Sequence, residues 1–142
     1  MRGIKFKAYI YDLTDENSHP LEIDIRAGKI WDVASINFKD QIVEIMDDDG
    51  GVWEYELNDE ITLMQYTDTN DKNGVEIYTG YIVKFISRLD GSKRMGTVRY
   101  WAGDAAFLIE CEREIFFLFH DALNREVIGN IYENPKILKD IK

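Results

Sequence analysis

The chain has 142 residues, 45% hydrophobic and 13% aromatic, a composition that excludes a disordered chain and suits one globular domain or two small subdomains sharing a core. A formal net charge of −10 argues against sequence-independent phosphate binding by the whole molecule. The single cysteine, Cys111, excludes an intrachain disulfide.

The segment Met1–Lys7 is charged and alternating, without an apolar stretch of the kind that heads a secretory signal. The longest dense apolar run, Ile115–Phe119, is far too short to span a bilayer. No membrane association and a reducing cytoplasm are the expectations. Charge is unevenly spread: residues 12–71 hold 17 Asp/Glu against Arg26, Lys29 and Lys39, a net of −14. Residues 72–101 hold six cations against Glu76 and Asp90, a net of +4.

In chain order, Ile4, Phe6, Ala8 and Ile10 alternate with polar or amphipathic neighbours at the period of a strand. Residues 14–20 form a loop before a second alternation, Leu21, Ile23 and Ile25 against Glu22, Asp24 and Arg26. The β-branched and aromatic segment 30–38 predicts another strand. Gln41–Met46 and Val52–Leu57 flank Asp47–Gly51 as a hairpin, with Trp53, Tyr55 and Leu57 on the packed face. A short strand, Leu63–Thr67, leads into the turn Asp68–Gly74, whose Asn73-Gly74 supplies left-handed backbone. Tyr81–Ser87 and Gly96–Trp101 make a second hairpin, joined by Arg88–Arg94 with Asp90-Gly91 at the tip. Phe107–Cys111 and Glu114–Phe119 form a further pair or one bent strand, His120–Arg125 a helical turn, and Val127–Tyr132 a last strand. Asn134 as N-cap and Pro135 at the first helical position predict a short C-terminal helix with Ile137, Leu138 and Ile141 on one face.

Residues able to run a reaction are scarce. His19, His120 and Cys111 do not make a familiar zinc set, and Cys111 between Glu110 and Glu112 is a poor nucleophile. A hydrolase elbow and a phosphate-cradling loop are both missing, since Gly91-Ser92-Lys93 is too short for the latter. Thr69–Gly80 fails as a calcium loop at its first and twelfth positions. The expectation is a non-enzymatic protein with no catalytic residue, metal or cofactor. The feature with functional content is the basic hairpin, Lys84, Arg88, Lys93, Arg94 and Arg99 beside Tyr100 and Trp101. Cations beside aromatics suit a phosphate backbone with stacked bases or an acidic protein surface. The acidic stretch 12–71 favours the second, as a salt-sensitive contact within or between protomers.

Three stretches resemble the YopX-like family of phage and prophage proteins. They are Arg2 with Ile4–Ala8; Leu63–Thr67 followed by Asp71–Gly74, Glu76–Tyr78 and Gly80–Val83; and Val127–Pro135. The hairpin Gln41–Leu57 falls where members place an aromatic-rich strand pair. Asp68 stands where members usually have Gly, and Tyr81 where they have Asp. The segment 12–28 is long for the family. The resemblance implies a mainly β fold of antiparallel sheets, with a small SH3-like barrel in the C-terminal part and a short C-terminal helix. It implies a single domain over 1–142 with an acidic part, 1–70, and an SH3-like part, 71–142. Its expected role is a phage or prophage accessory protein in the bacterial cytoplasm, binding a self, phage or host protein or assembling as a homo-oligomer. Two alternatives are nucleic-acid binding through 84–101, and an acidic decoy in which residues 40–60 imitate a phosphate backbone.

Overall fold

The computed structural model describes residues 4–14, 17–19 and 23–139. Arg2, Asp15, Glu16, Pro20, Leu21, Glu22 and Ile141, which enter the expectations above, lie outside the described residues. The strands in chain order are β1 Phe6–Ile10, β2 Ile30–Asn37, β3 Ile42–Met46, β4 Val52–Glu56, β5 Ile61–Asn70, β6 Glu76–Tyr78, β7 Tyr81–Ser87, β8 Lys93–Trp101, β9 Ala106–Glu110, β10 Ile115–Phe117 and β11 Ala122–Asn130. One helix, α1 Lys136–Lys139, follows. Among the described residues no helix is long and apolar enough to cross a membrane. The fold is mainly β, in two antiparallel sheets, neither of which closes on itself. The chain divides into two compact units, Lys5–Met64 and Gln65–Lys142 with Met1–Ile4, so the division falls inside β5.

The N-terminal unit is built on the order β4-β3-β2-β1-β5. Period-two alternation puts Ala8, Ile10, Val43, Ile45, Tyr55 and Ile61 on one buried face, joined by Trp31, Val33, Ile36 and Leu63. Each fully buried aliphatic side chain here contributes roughly 1.5–3 kcal/mol. Ala27 packs on the same face from a turn, not from the strand expected over 21–26. Asp24 accounts for the difference. Its Oδ1 accepts from Arg26 N at 2.9 Å and its carbonyl from Ala27 N at 3.1 Å, closing a turn that leaves Ile25 79% exposed. Arg26 then lies 3.6 Å over the Trp53 ring and donates from Nε to the Tyr55 hydroxyl at 2.9 Å. Tyr55 itself donates to Asp24.

The C-terminal unit is built on the order β10-β9-β8-β7-β11, with the last part of β5 pairing β6. Its core is Ile77, Val83, Phe85, Val98, Ile109, Phe116, Leu118 and Ala122, with Phe85 and Phe116 edge-to-face at 5.1 Å. β5 runs beyond the short strand expected at 63–67, and β6 is an element that the alternation did not predict. Their register shifts between Tyr66 and Asn70, where Asp68 takes φ +63°, a conformation natural to glycine. The Tyr81 ring lies tilted against Tyr78 at 5.6 Å, and Tyr78 against Tyr66 at 5.5 Å.

In the Asp71–Val75 turn the carboxylate is engaged by backbone. Asp71 Oδ1 accepts from Asn73 N at 2.8 Å and Val75 N at 2.9 Å, and Oδ2 from Val127 N at 2.9 Å. Gly74, at φ +83°, completes the turn. The helical turn expected at 120–125 is absent. Asp121 closes a turn back onto Phe117, and β11 begins at Ala122. Asn134 is not a side-chain cap either, since its Oδ1 accepts from Asn130 N at 3.2 Å.

Candidate functional site

The residues singled out in the basic hairpin all lie in the C-terminal unit, but register divides them. β7 pairs β8 and β8 pairs β9 without a bulge, so strict alternation holds across the three strands. Lys84, Lys93, Arg99 and Trp101 fall on one face and Arg94 on the opposite, core face. There Arg94 pairs with Glu114, lies 3.6 Å from Asp90 and sits 5.7 Å over the Phe116 ring. Lys84 is engaged by Glu126 at 3.1 Å. Arg88 lies in the hairpin turn, where its backbone N donates to Asp121 O at 2.9 Å and its charge helps hold Asp121 low, after His120. Lys93 and Arg99 form no ion pair among the described residues.

The ribbon therefore offers fewer free cations than the sequence suggested, because strand pairing brings acids from β11 and the β9–β10 turn against two of them. The exposed positions on the Lys84–Trp101 face surround a buried centre of Ile82, Thr97 and Leu108. At one end, Arg99 shares a row with Leu108 and Phe117, and Trp101 stands opposite Ala106. Ile115, Phe117 and Trp101 are each about half exposed. Trp101 leans over its own turn, since a Cβ on Gly103 would lie 2.9 Å from its Nε1.

That end opens into a cleft of about 360 Å³ lined by Thr67, Thr69, Phe107, Phe117, Phe119 and His120, with Ala106, Leu118 and Asp68 completing the wall. Ala106 and Phe117 thus belong both to the cleft and to the rows holding Trp101 and Arg99. Phe119 is 81% exposed at the rim. The sequence marked 115–119 as an apolar run within a strand, not as an exposed surface. The signal for exposure is that a strand shows alternate residues to each face, so such a run cannot be wholly buried by one layer.

The polar groups here are occupied structurally. Thr67 Oγ1 donates to Ile77 O at 2.8 Å. Asp121 Oδ2 accepts from Phe117 N at 3.0 Å, and Oδ1 lies 2.8 Å from His120 Nδ1. The His120 contact, then the Phe117 amide, hold the Asp121 carboxyl below its ordinary range against the opposing effect of burial. Cys111 is pushed up to about 11, first by burial, with Glu114 adding and Arg94 opposing; its neutral thiol traces to packing, not to Glu110 and Glu112. Among the described residues, no group of three or more His, Cys, Asp or Glu could hold a metal ion. The arrangement suits an apolar side chain, with Arg99 on the same face as Phe117 and separated from it by Leu108.

Residues 23–139 match the family described as YopX protein. The chain is similar in fold to protein EF1440 from Enterococcus faecalis, with TM-score 0.53 and 20% identity over 97% of this chain and 99% of that one. It is likewise similar to protein yopX from Bacillus subtilis, with TM-score 0.54 and 17% identity over 97% of this chain and 98% of that one. No curated protein matches it. With 117 of its 142 residues covered by the family match, the chain belongs to the YopX protein family.

Proposed function

We propose that this protein is a non-enzymatic docking module that associates through protein contacts, a second copy of itself among them. The observation that carries the reading is the conjunction of an open aromatic cleft, the adjoining exposed Trp101 and Phe117, and an Arg99 with no ion pair among the described residues, on a molecule whose segment 12–71 is strongly acidic. A contact of that kind joins two different surfaces, so copies meet head to tail and close into a ring when the rotation permits. The pairing of Lys84 and Arg94 with acids of their own unit weighs against phosphate-backbone binding through 84–101. The acidic-decoy alternative leaves the cleft without a role.

The finer architectural reading is that the sheet β7–β11 is an opened relative of a small SH3-like barrel, with the register shifts of β11 at Leu123/Glu126 and Val127/Gly129 supplying curvature. The setting we propose is a phage or integrated element, with the protein acting in the bacterial cytoplasm. The test is mass by light scattering at about 20 mM and about 500 mM salt, since screening shortens the reach of charge to a few ångströms at the higher value. Assembly at low salt that recedes at high salt supports the reading. A strict monomer under both conditions refutes it.

A further inference from the structure

The sheet edges of this protein are treated unequally, and the difference points to a binding mode. β10 exposes Ile115 and Phe117 on its outer side, but Asp121 takes the Phe117 N–H with Oδ2 and the Phe117 carbonyl with its own N at 2.9 Å. β11 is bulged twice, and the turn at 71–75 occupies its outer side. Val127 N donates to Asp71 Oδ2, and Arg125 O accepts from Lys72 N at 2.8 Å. β6 is three residues long. These are the usual protections of a strand edge: shortness, bulges and covering groups.

β4 has little of this. Its five pairs with β3 run without a bulge. Asp47 N donates to Gly51 O and Leu57 N to Gln41 O, so residues 51, 53, 55 and 57 turn their backbone groups toward β3, and 52, 54 and 56 turn theirs outward. Glu60 covers Glu56, its Oε1 accepting from Glu56 N at 2.9 Å and its N donating to Glu56 O at 3.0 Å. Val52 and Glu54 are left with outward N–H and C=O groups on a strand whose side chains, Tyr55 apart, are exposed.

We propose that the Val52–Glu54 edge accepts a short extended segment of another protein as an added strand, and that the segment alternates basic and apolar residues. Residues on one side of the added strand would neighbour Val52 and Glu54, where Glu44 stands directly opposite Glu54. Lys or Arg there relieves a like-charge pair. Residues on the other side would neighbour Trp53, which favours an apolar side chain. A second copy of β4 is disfavoured because it would bring a further set of Glu44, Glu54 and Glu56 onto the same face. This proposal goes beyond the self-association reading and uses a different unit of the chain.

The probe is acetyl-Lys-Val-Lys-Phe-Lys-amide titrated into the full chain and followed by amide NMR at low salt. Expected are saturable shifts and at least tenfold slower hydrogen exchange at Val52 and Glu54, with the response at Val52 lost in Glu54→Pro, which has no amide at 54 and so removes an outward donor without touching the β3 ladder. Glu54→Lys, which keeps the backbone, should weaken the peptide about tenfold and serves if the proline variant does not fold. Unmoved Val52 and Glu54 amides at millimolar peptide would overturn the proposal. So would wild-type binding by folded Glu54→Pro or by Glu54→Lys, or equal binding of the Glu-for-Lys peptide. Light scattering on the folded variant used separates the two ideas, because salt-dependent assembly should persist where peptide binding is lost.

Discussion

Replacing Asp71 should be the most damaging single polar substitution in the C-terminal unit. The side chain belongs to a residue only 7% exposed, yet one carboxylate satisfies three backbone N–H groups, including that of Val127, 56 residues away. Charge-assisted bonds of this kind contribute about 1.5–3 kcal/mol each, and a donor orphaned in a buried place costs about 1–3 kcal/mol. The three are not additive, and water can enter the space that alanine leaves. Asp71→Ala should therefore cost about 3–5 kcal/mol, a fall in Tm on the order of 10–20 °C. Asp71→Asn retains one acceptor oxygen but loses one bond, and should cost about 2 kcal/mol. Burial alone would raise the Asp71 pKa, but the Val127, Val75 and Asn73 amides outweigh it and the net shift is downward. A depressed folded-state pKa contributes stability above the unfolded value near 3.9 that is lost as pH falls through the folded value. The gap between wild type and Asp71→Asn should accordingly be wide at pH 6 and narrower at pH 3. Urea unfolding at the two pH values measures it. An alanine variant within 1 kcal/mol of wild type, or a gap constant with pH, would refute the reasoning.

Two further outcomes follow from packing. A Cβ at Gly96 would lie 2.5 Å from Glu110 O, 2.8 Å from Ile109 Cγ2 and 2.9 Å from Cys111 Sγ, so Gly96→Ala must part β8 from β9 and should cost about 2–3 kcal/mol in urea unfolding. With its pKa near 11, Cys111 should alkylate with iodoacetamide at pH 8 on the order of a hundredfold more slowly in the folded chain than in urea, and equal rates would count against its burial.

The sequence was a good guide where one face of a strand meets a core. Phe6–Ile10 and Val52–Glu56 keep a period of two, and their strands fall where that pattern puts them. It misled where local polar bonds override the pattern. Ile23 and Ile25 alternate as well as any strand, but Asp24 bends the chain into a turn over Trp53. β6 is too short to carry a period, and β11 begins with Ala122 because Asp121 ends the preceding turn. The basic hairpin was visible as a cluster, but alternation sends Arg94 to the face opposite Arg99, and the acids that neutralise Lys84 and Arg94 come from other strands and turns. The role of Asp71 was not legible for the same reason, since its partner Val127 is distant in sequence.

The proposed docking site is the end of the β8–β9 sheet that carries Arg99 and Trp101. The direct measurement is the mass of Arg99→Glu/Trp101→Ala by light scattering at low salt beside that of wild type. Association by wild type with the double variant monomeric, at unchanged thermal stability, is the predicted result. Assembly of the same size in both proteins would contradict the proposed docking site.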